Sequence, residues 1–240
     1  MRKLLSQMRK CLRDYQMLAP GDRIAVGVSG GKDSLTLLRL LAELREHPPV
    51  PFELMAVTLD MGYPEMDFAP VAELCRQLGV PYTLRQTQIR EIVFDIRREE
   101  NPCALCAKLR RGILNETAVE LGANKVALGH HYDDVLETFL LSLVYEGRLG
   151  SFLPVTYLDR TGLTLIRPML YIHEKSIANF AQRQALPLVH NPCPADKNTK
   201  REEMKALLYE LEGRYPGLKD NLMGGLQRSP LPGWRPAEPR

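Results

Sequence analysis

One stretch, "DRIAVGVSGGKDSLTLLRLLAEL" from Asp22 to Leu44, fixes a corner of the fold before the rest of the chain is considered. Ile24 to Val28 form a β-branched apolar run of buried-strand length, and Leu35, Leu38, Leu41 and Leu44 recur at helical spacing. Between them stand Ser29, Gly30, Gly31, Lys32, Asp33 and Ser34. The glycines let the backbone turn sharply and approach a ligand, and the unpaired N–H groups of the helix's first turn favour an anion, as do Lys32 and the two serines. A plain strand-to-helix turn capped by Asp33 or Ser34 is the alternative.

The two commonest phosphate motifs do not fit. In G-x-x-x-x-G-K-[ST] the first glycine falls on Val26, and Asp33 follows Lys32 where Ser or Thr is required. Gly27, Gly30 and Gly31 do not make G-x-G-x-x-G.

Further strand-like runs at Leu54–Leu59, Tyr82–Arg85 and Lys125–Leu128 alternate with helical patterns, which predicts an α/β fold with a parallel sheet and helices on both faces. The expected division is a basic N-terminal helix over 1–20 and an α/β nucleotide-binding domain over 21–190. The third-cysteine loop and C-terminal helices follow over 191–228, and a proline-rich disordered tail over 229–240. The net charge of +3 permits a nucleic-acid partner without requiring one. Arg2, Lys3, Arg9, Lys10 and Arg13 against Asp14 suit either an RNA backbone or a solvated helix face. No apolar run has the ~18 residues of a membrane span. Five cysteines in 240 residues argue against a secreted disulfide framework and for the cytoplasm.

Cys103 and Cys106 lie at the start of a helix opened by Pro102, with Leu105, Leu109, Ile113 and Leu121 as its expected buried face. Helix N-termini favour thiolate, the metal-binding form. Cys193 stands between two prolines, where a packing role is unnatural. Two metal sites are open on spacing alone: zinc on Cys103, Cys106, His190 and Cys193, or a [4Fe–4S] cluster on the three thiolates with one iron free.

"GHHYDDVLETFL", Gly129 to Leu140, follows the strand at Lys125. Asp134 and Glu137 have capping-box spacing, and Thr138 is an ordinary helix residue. His130, His131 and Asp133 fall instead at the carboxyl end of a strand, where open α/β sheets bind ligands.

S-G-G-K-D-S after a first strand resembles the PP-loop of the ATP pyrophosphatase superfamily, which cuts ATP between its α and β phosphates. Combined with G-H-H-x-D-D-x-x-E-T it resembles the tRNA lysidine synthetases and the tRNA 2-thiocytidine synthetases. A C-x-x-C followed by L-R-R-G, with a lone later cysteine, is similar to the second. That resemblance implies an adenine nucleotide alpha hydrolase-like fold and an ATP- and Mg²⁺-dependent tRNA-cytidine 2-sulfurtransferase. ATP would sit on Ser29 to Ser34 with Gly129 and His130. Lys32, Asp33 and Asp134 would be catalytic. Cys103, Cys106 and Cys193 would hold a [4Fe–4S] cluster, and Arg110 and Arg111 would contact RNA. The implied partners are tRNA and a sulfur donor such as a cysteine desulfurase, with a homodimer allowed and no membrane. Thiolation of a uridine, adenylation of another base, and a zinc-stabilised, non-catalytic RNA-binding module are the alternatives.

Overall fold

The computed structural model describes residues 1–98, 102–194 and 200–237. Six strands form one sheet in the order β3-β2-β1-β4-β6-β5: β1 Asp22–Gly27, β2 Phe52–Asp60, β3 Tyr82–Gln86, β4 Lys125–Ala127, β5 Val155–Leu158 and β6 Leu163–Ile166. All pairs are parallel except β5 with β6. The four expected strands are parallel, β6 joins them as a fifth, and β5 alone runs antiparallel at the edge.

Strand alternation divides the interior in two. Ile24, Val26, Leu54, Ala56, Ala127 and Ile166 face one large core, to which α1 (Arg2–Asp14), α2 (Lys32–Glu46), α3 (Ala69–Gln77), α5 (Tyr132–Glu146), α6 (Glu174–Arg183), α7 (Lys200–Arg214) and α8 (Leu218–Arg228) contribute. Ala25, Met55, Val57, Val126 and Leu165 face the other side, where α4 (Pro102–Glu120) covers them with Leu114 and Ala118. Only the later turns of α4 lie on the sheet. Its expected buried face is thus corrected: Asn115, Thr117 and Ala118 are buried, and Leu105, Leu109, Ile113 and Leu121 are half-buried.

The N-terminal helix is amphipathic, with Leu4, Met8, Cys11 and Leu12 buried and the basic residues outward. The tail also needs correction over 229–237. Trp234 is 1% exposed within the main core and Ala237 N–H donates to Asp14 O. One indole buries enough apolar surface to pin a short proline-rich segment. Cys11 and Cys75 are buried as well, and burial raises their thiols to about 12 and about 11, so both are inert core residues.

Candidate active site

The strand order reverses at β1, which pairs with β2 on one side and β4 on the other, so the segments leaving β1 and β4 flank a crevice at the carboxyl edge. The loop after β1 is stitched to its surroundings. Val28 N–H donates to Val57 O at 2.8 Å, and Thr58 Oγ1 to Val28 O at 2.7 Å. Gly30 has φ +83°, and a side chain there would strike Val189 at 2.7 Å, so glycine is required on two counts.

The N-cap of α2 is Gly31, not Asp33 or Ser34. Ser34 is an internal clip: its hydroxyl accepts from Ser29 N–H at 3.1 Å and donates to Gly31 O at 3.0 Å. The first-turn N–H groups of Lys32 and Asp33 have no acceptor within the helix. Gly129 presses on this same turn, since a Cβ there would lie 3.1 Å from Asp33 C and Ser34 N.

Helix α5 begins at Tyr132, with His131 as N-cap. Asp134 N–H donates to His131 Nδ1 at 3.3 Å, and His131 N–H to Asp134 Oδ2 at 2.9 Å. The capping box therefore sits three residues before the expected Asp134–Glu137 pair. His131 Nε2 lies 3.7 Å from Asp33 Oδ1 and 3.5 Å from Asp134 Oδ2, so carboxylates from the first turns of α2 and α5 converge on one ring nitrogen.

His130 turns the other way, stacking on Phe152 at 4.6 Å and accepting from Arg167 Nε on Nδ1 at 3.2 Å. That bond leaves Nε2 as the protonated nitrogen. Burial foremost, then the Arg167 charge, lowers its pKa to about 3, so the ring is neutral at physiological pH. Arg167 is itself buried and is lowered to about 10 by desolvation.

Several residues here carry no sequence signal. From α6, Glu174 lies 3.1 Å from Lys32 Nζ, which also pairs with Asp33 at 3.0 Å. Burial opposes the Lys32 charge, but these carboxylates outweigh it and raise the pKa. From α7, Lys205 reaches Glu174 at 2.9 Å, and Arg201 reaches Asp134 at 3.2 Å, Glu137 at 3.4 Å and Thr138 Oγ1 at 3.2 Å. Thr138 is thus an acceptor for Arg201, not a neutral helix position. From α8, Lys219 holds Asp133 at 2.8 Å. Only the helical character of this C-terminal region was legible.

The cysteines gather at the same edge. A helix crossing from β3 to the parallel β4 must run back along the sheet, which puts the start of α4 at the carboxyl end. Pro102 is its first residue, as expected. Cys106 is half-buried, and its thiol is raised by desolvation foremost, with Arg110 opposing and Cys193 and Cys103 adding to the rise. Tyr63, 8% exposed, has its hydroxyl beside the Cys193 and Cys106 thiols; burial foremost, then these thiols, raises its pKa. The Cys193 segment is tied to the glycine loop by Val189 N–H donating to Gly30 O at 3.0 Å. His190 is exposed, and among the described residues no group of three or more His, Cys, Asp or Glu side chains is arranged to hold a metal ion. Arg110 and Arg111 are exposed; Arg110 acts on Cys106, and Arg111 on His130 and Arg167. Among the described residues no helix is long and apolar enough to cross a membrane.

Comparison with known proteins agrees with this geometry. The PP-loop domain family matches residues 2–211. A tRNA-cytidine(32) 2-sulfurtransferase of Anaeromyxobacter dehalogenans (strain 2CP-C) is 43% identical over 94% of this chain and 78% of its own length. Those of Pelobacter propionicus and Geobacter sulfurreducens are 42% and 40% identical over 94% of this chain, and 85% and 89% of theirs. Among solved structures, the U34-tRNA thiolase NcsA from Methanococcus maripaludis with its [4Fe-4S] cluster superposes with a TM-score of 0.75 at 26% identity. That match covers 92% of this chain and 76% of that one. With the glycine loop, the paired histidines and the three thiols on one sheet edge, the chain belongs to the PP-loop domain family and, within it, to the tRNA-cytidine(32) 2-sulfurtransferases.

Proposed function

We propose that this protein is a cytoplasmic, ATP-dependent tRNA sulfurtransferase that replaces the C2 oxygen of cytidine 32 with sulfur. The observation carrying this reading is the meeting of the Ser29–Ser34 loop and the Cys103, Cys106 and Cys193 thiols at one sheet edge, joined by the Val189–Gly30 bond.

The chemistry has two steps. Cytidine O2 attacks the α-phosphorus of ATP, forming an O–P bond as pyrophosphate leaves; sulfur then forms a bond to C2 as the C2–O bond breaks and AMP departs. Lys32, the first-turn amides of α2 and Ser29 neutralise the charge building on the departing pyrophosphate. Neutral His130, kept as an Nε2–H donor by Arg167, offers a hydrogen bond without adding positive charge. Asp33 and Asp134 suit Mg²⁺, which commonly takes one or two carboxylates and completes its shell with phosphate oxygens and water.

Cys106 interacts with both Cys103 and Cys193, and these three thiols would be the protein ligands of a [4Fe–4S] cluster once the side chains close around it. Such a cluster, when bound, supplies an iron without a protein ligand at which sulfur can be held. Arg110 and Arg111, exposed a little over two turns along α4, would contact RNA phosphates. A cysteine desulfurase is the class of donor that would renew the sulfur, and a second copy of the chain is an admissible partner.

Mass spectrometry of tRNA nucleosides from cells with and without the gene tests the reading. It expects 2-thiocytidine to vanish on deletion and to return with the wild-type gene but not with Cys106→Ala. Loss of 2-thiouridine instead would move the activity to a uridine.

A further inference from the structure

Glu174 occupies an unusual position. Its carboxylate sits between two ammonium groups from different helices, with Oε1 3.1 Å from Lys32 Nζ and 3.0 Å from Lys205 Nζ, and Oε2 2.9 Å from Lys205. Lys32 already has a carboxylate of its own in Asp33, at 3.0 and 3.1 Å, and does not need Glu174 for neutralisation. The Glu174 backbone is anchored, because its N–H donates to Asp133 Oδ2 at 2.8 Å; its side chain alone is free to change partners. The three side chains retain 24%, 30% and 44% exposure, so exchanging one anion for another there carries little of the penalty of breaking a buried pair.

We propose that Lys205 joins Lys32 in a two-lysine seat for the terminal phosphates of ATP, and that Glu174 fills this seat in the nucleotide-free protein. The inference rests on reading Ser29–Ser34 as the pyrophosphate loop. A phosphate brings more charge and more acceptor oxygens than a carboxylate to the same two donors and displaces it. Helix α7, which begins seven residues after Cys193, thereby becomes part of the nucleotide site. ATP binding is coupled to the segment carrying the third thiol.

The seat predicts effects of opposite sign, which a mere surface pin between α6 and α7 does not. Binding of inorganic pyrophosphate and of ATP to the full-length protein is measured by titration calorimetry, without and with Mg²⁺. Lys205→Gln is expected to weaken Mg²⁺-free pyrophosphate binding about tenfold, Lys205→Arg to preserve it, and Glu174→Gln to strengthen it several-fold. Weaker binding in Glu174→Gln, with or without Mg²⁺, overturns the proposal by making that carboxylate a pin or a cation ligand. Unchanged binding in both variants also overturns it, while loss of binding in Lys32→Ala leaves the loop reading intact. If Lys32→Ala binds like wild type, the loop reading fails and the seat falls with it. Should Lys205→Gln not fold, Glu174→Gln and Lys205→Arg decide the question by the same signs.

Discussion

Ion pairs lie at both ends of strands β1 and β4, within the strands at one edge and on helices α2 and α6 at the other, and the two could hardly differ more. At the amino edge, Asp22 and Lys125 meet at 2.7 Å with side chains 3% and 12% exposed. Every oxygen of Asp22 is engaged: Oδ2 by Lys125 and Ala19 N–H, Oδ1 by Asn124 Nδ2. Lys125 also donates to Met17 O. At the carboxyl edge, Lys32, Asp33 and Glu174 are 30%, 32% and 24% exposed, and each shares its partners. Four cations, Lys32, Arg201, Lys205 and Lys219, face five carboxylates, Asp33, Asp133, Asp134, Glu137 and Glu174. A fully satisfied dry pair has one arrangement and holds the fold; an over-supplied, half-wet cluster has several and is built to exchange partners with a ligand.

The sharpest way to break this contrast is to exchange the expected consequences. Lys32→Ala is expected to lower tRNA-dependent release of AMP and pyrophosphate by at least ~100-fold while leaving the melting temperature unchanged. Product analysis alongside differential scanning calorimetry checks both halves. Release of ADP and phosphate by the wild type would contradict the cleavage position itself.

At the other edge the pattern reverses. Asp22→Asn leaves Lys125 buried beside a neutral partner and is expected to cost about 3 kcal/mol in urea unfolding. Pyrophosphate affinity of the folded fraction should stay at the wild-type value. A variant that kept its stability but lost affinity would place Asp22 in the wrong class.

Acid sharpens the comparison within the site. His130 is held near 3, well below its ordinary 6.5, because burial and Arg167 disfavour the imidazolium. Between those values the unfolded chain binds the proton and the native one does not. Stability from this residue is therefore present above 6.5 and declines as pH falls toward 3. His130→Asn should flatten that part of the stability–pH curve, and an unchanged slope would show that the ring titrates normally.

The smallest effect belongs to α1. If its outer face lies on an RNA backbone, Arg13→Ala should reduce the slope of log affinity against log salt for tRNA by about 1 without altering ATP turnover at saturating tRNA. An unchanged slope returns the face to solvent.

The sequence disclosed those parts of the site whose members are neighbours along the chain. Gly30 is required by φ and by Val189, and glycine at such a corner is visible without coordinates. Glu174, Arg167, Arg201, Lys205 and Lys219 were hidden because each is an ordinary charged residue within or beside a helix or strand. Only the packing of α6, α7 and α8 aims them at the loops. The hairpin Val155–Leu158 to Leu163–Ile166 did leave a signal, short β-branched runs either side of Gly162 at φ +69°, too brief to stand out beside the longer apolar runs of the parallel strands. Trp234 shows the limit of composition: four prolines argue for an open tail, and a single large ring reverses the outcome over 229–237.

Sulfur transfer at this edge requires the three thiols to act together beside the nucleotide loop, and metal analysis of anaerobically reconstituted protein tests this most directly. The expected protein is brown and holds about four irons and four sulfides per chain. Cys103→Ala, Cys106→Ala and Cys193→Ala each lose both, whereas His190→Ala keeps them. One zinc per chain, released by His190→Ala, would instead make the site a closed structural one and contradict sulfur transfer at this edge.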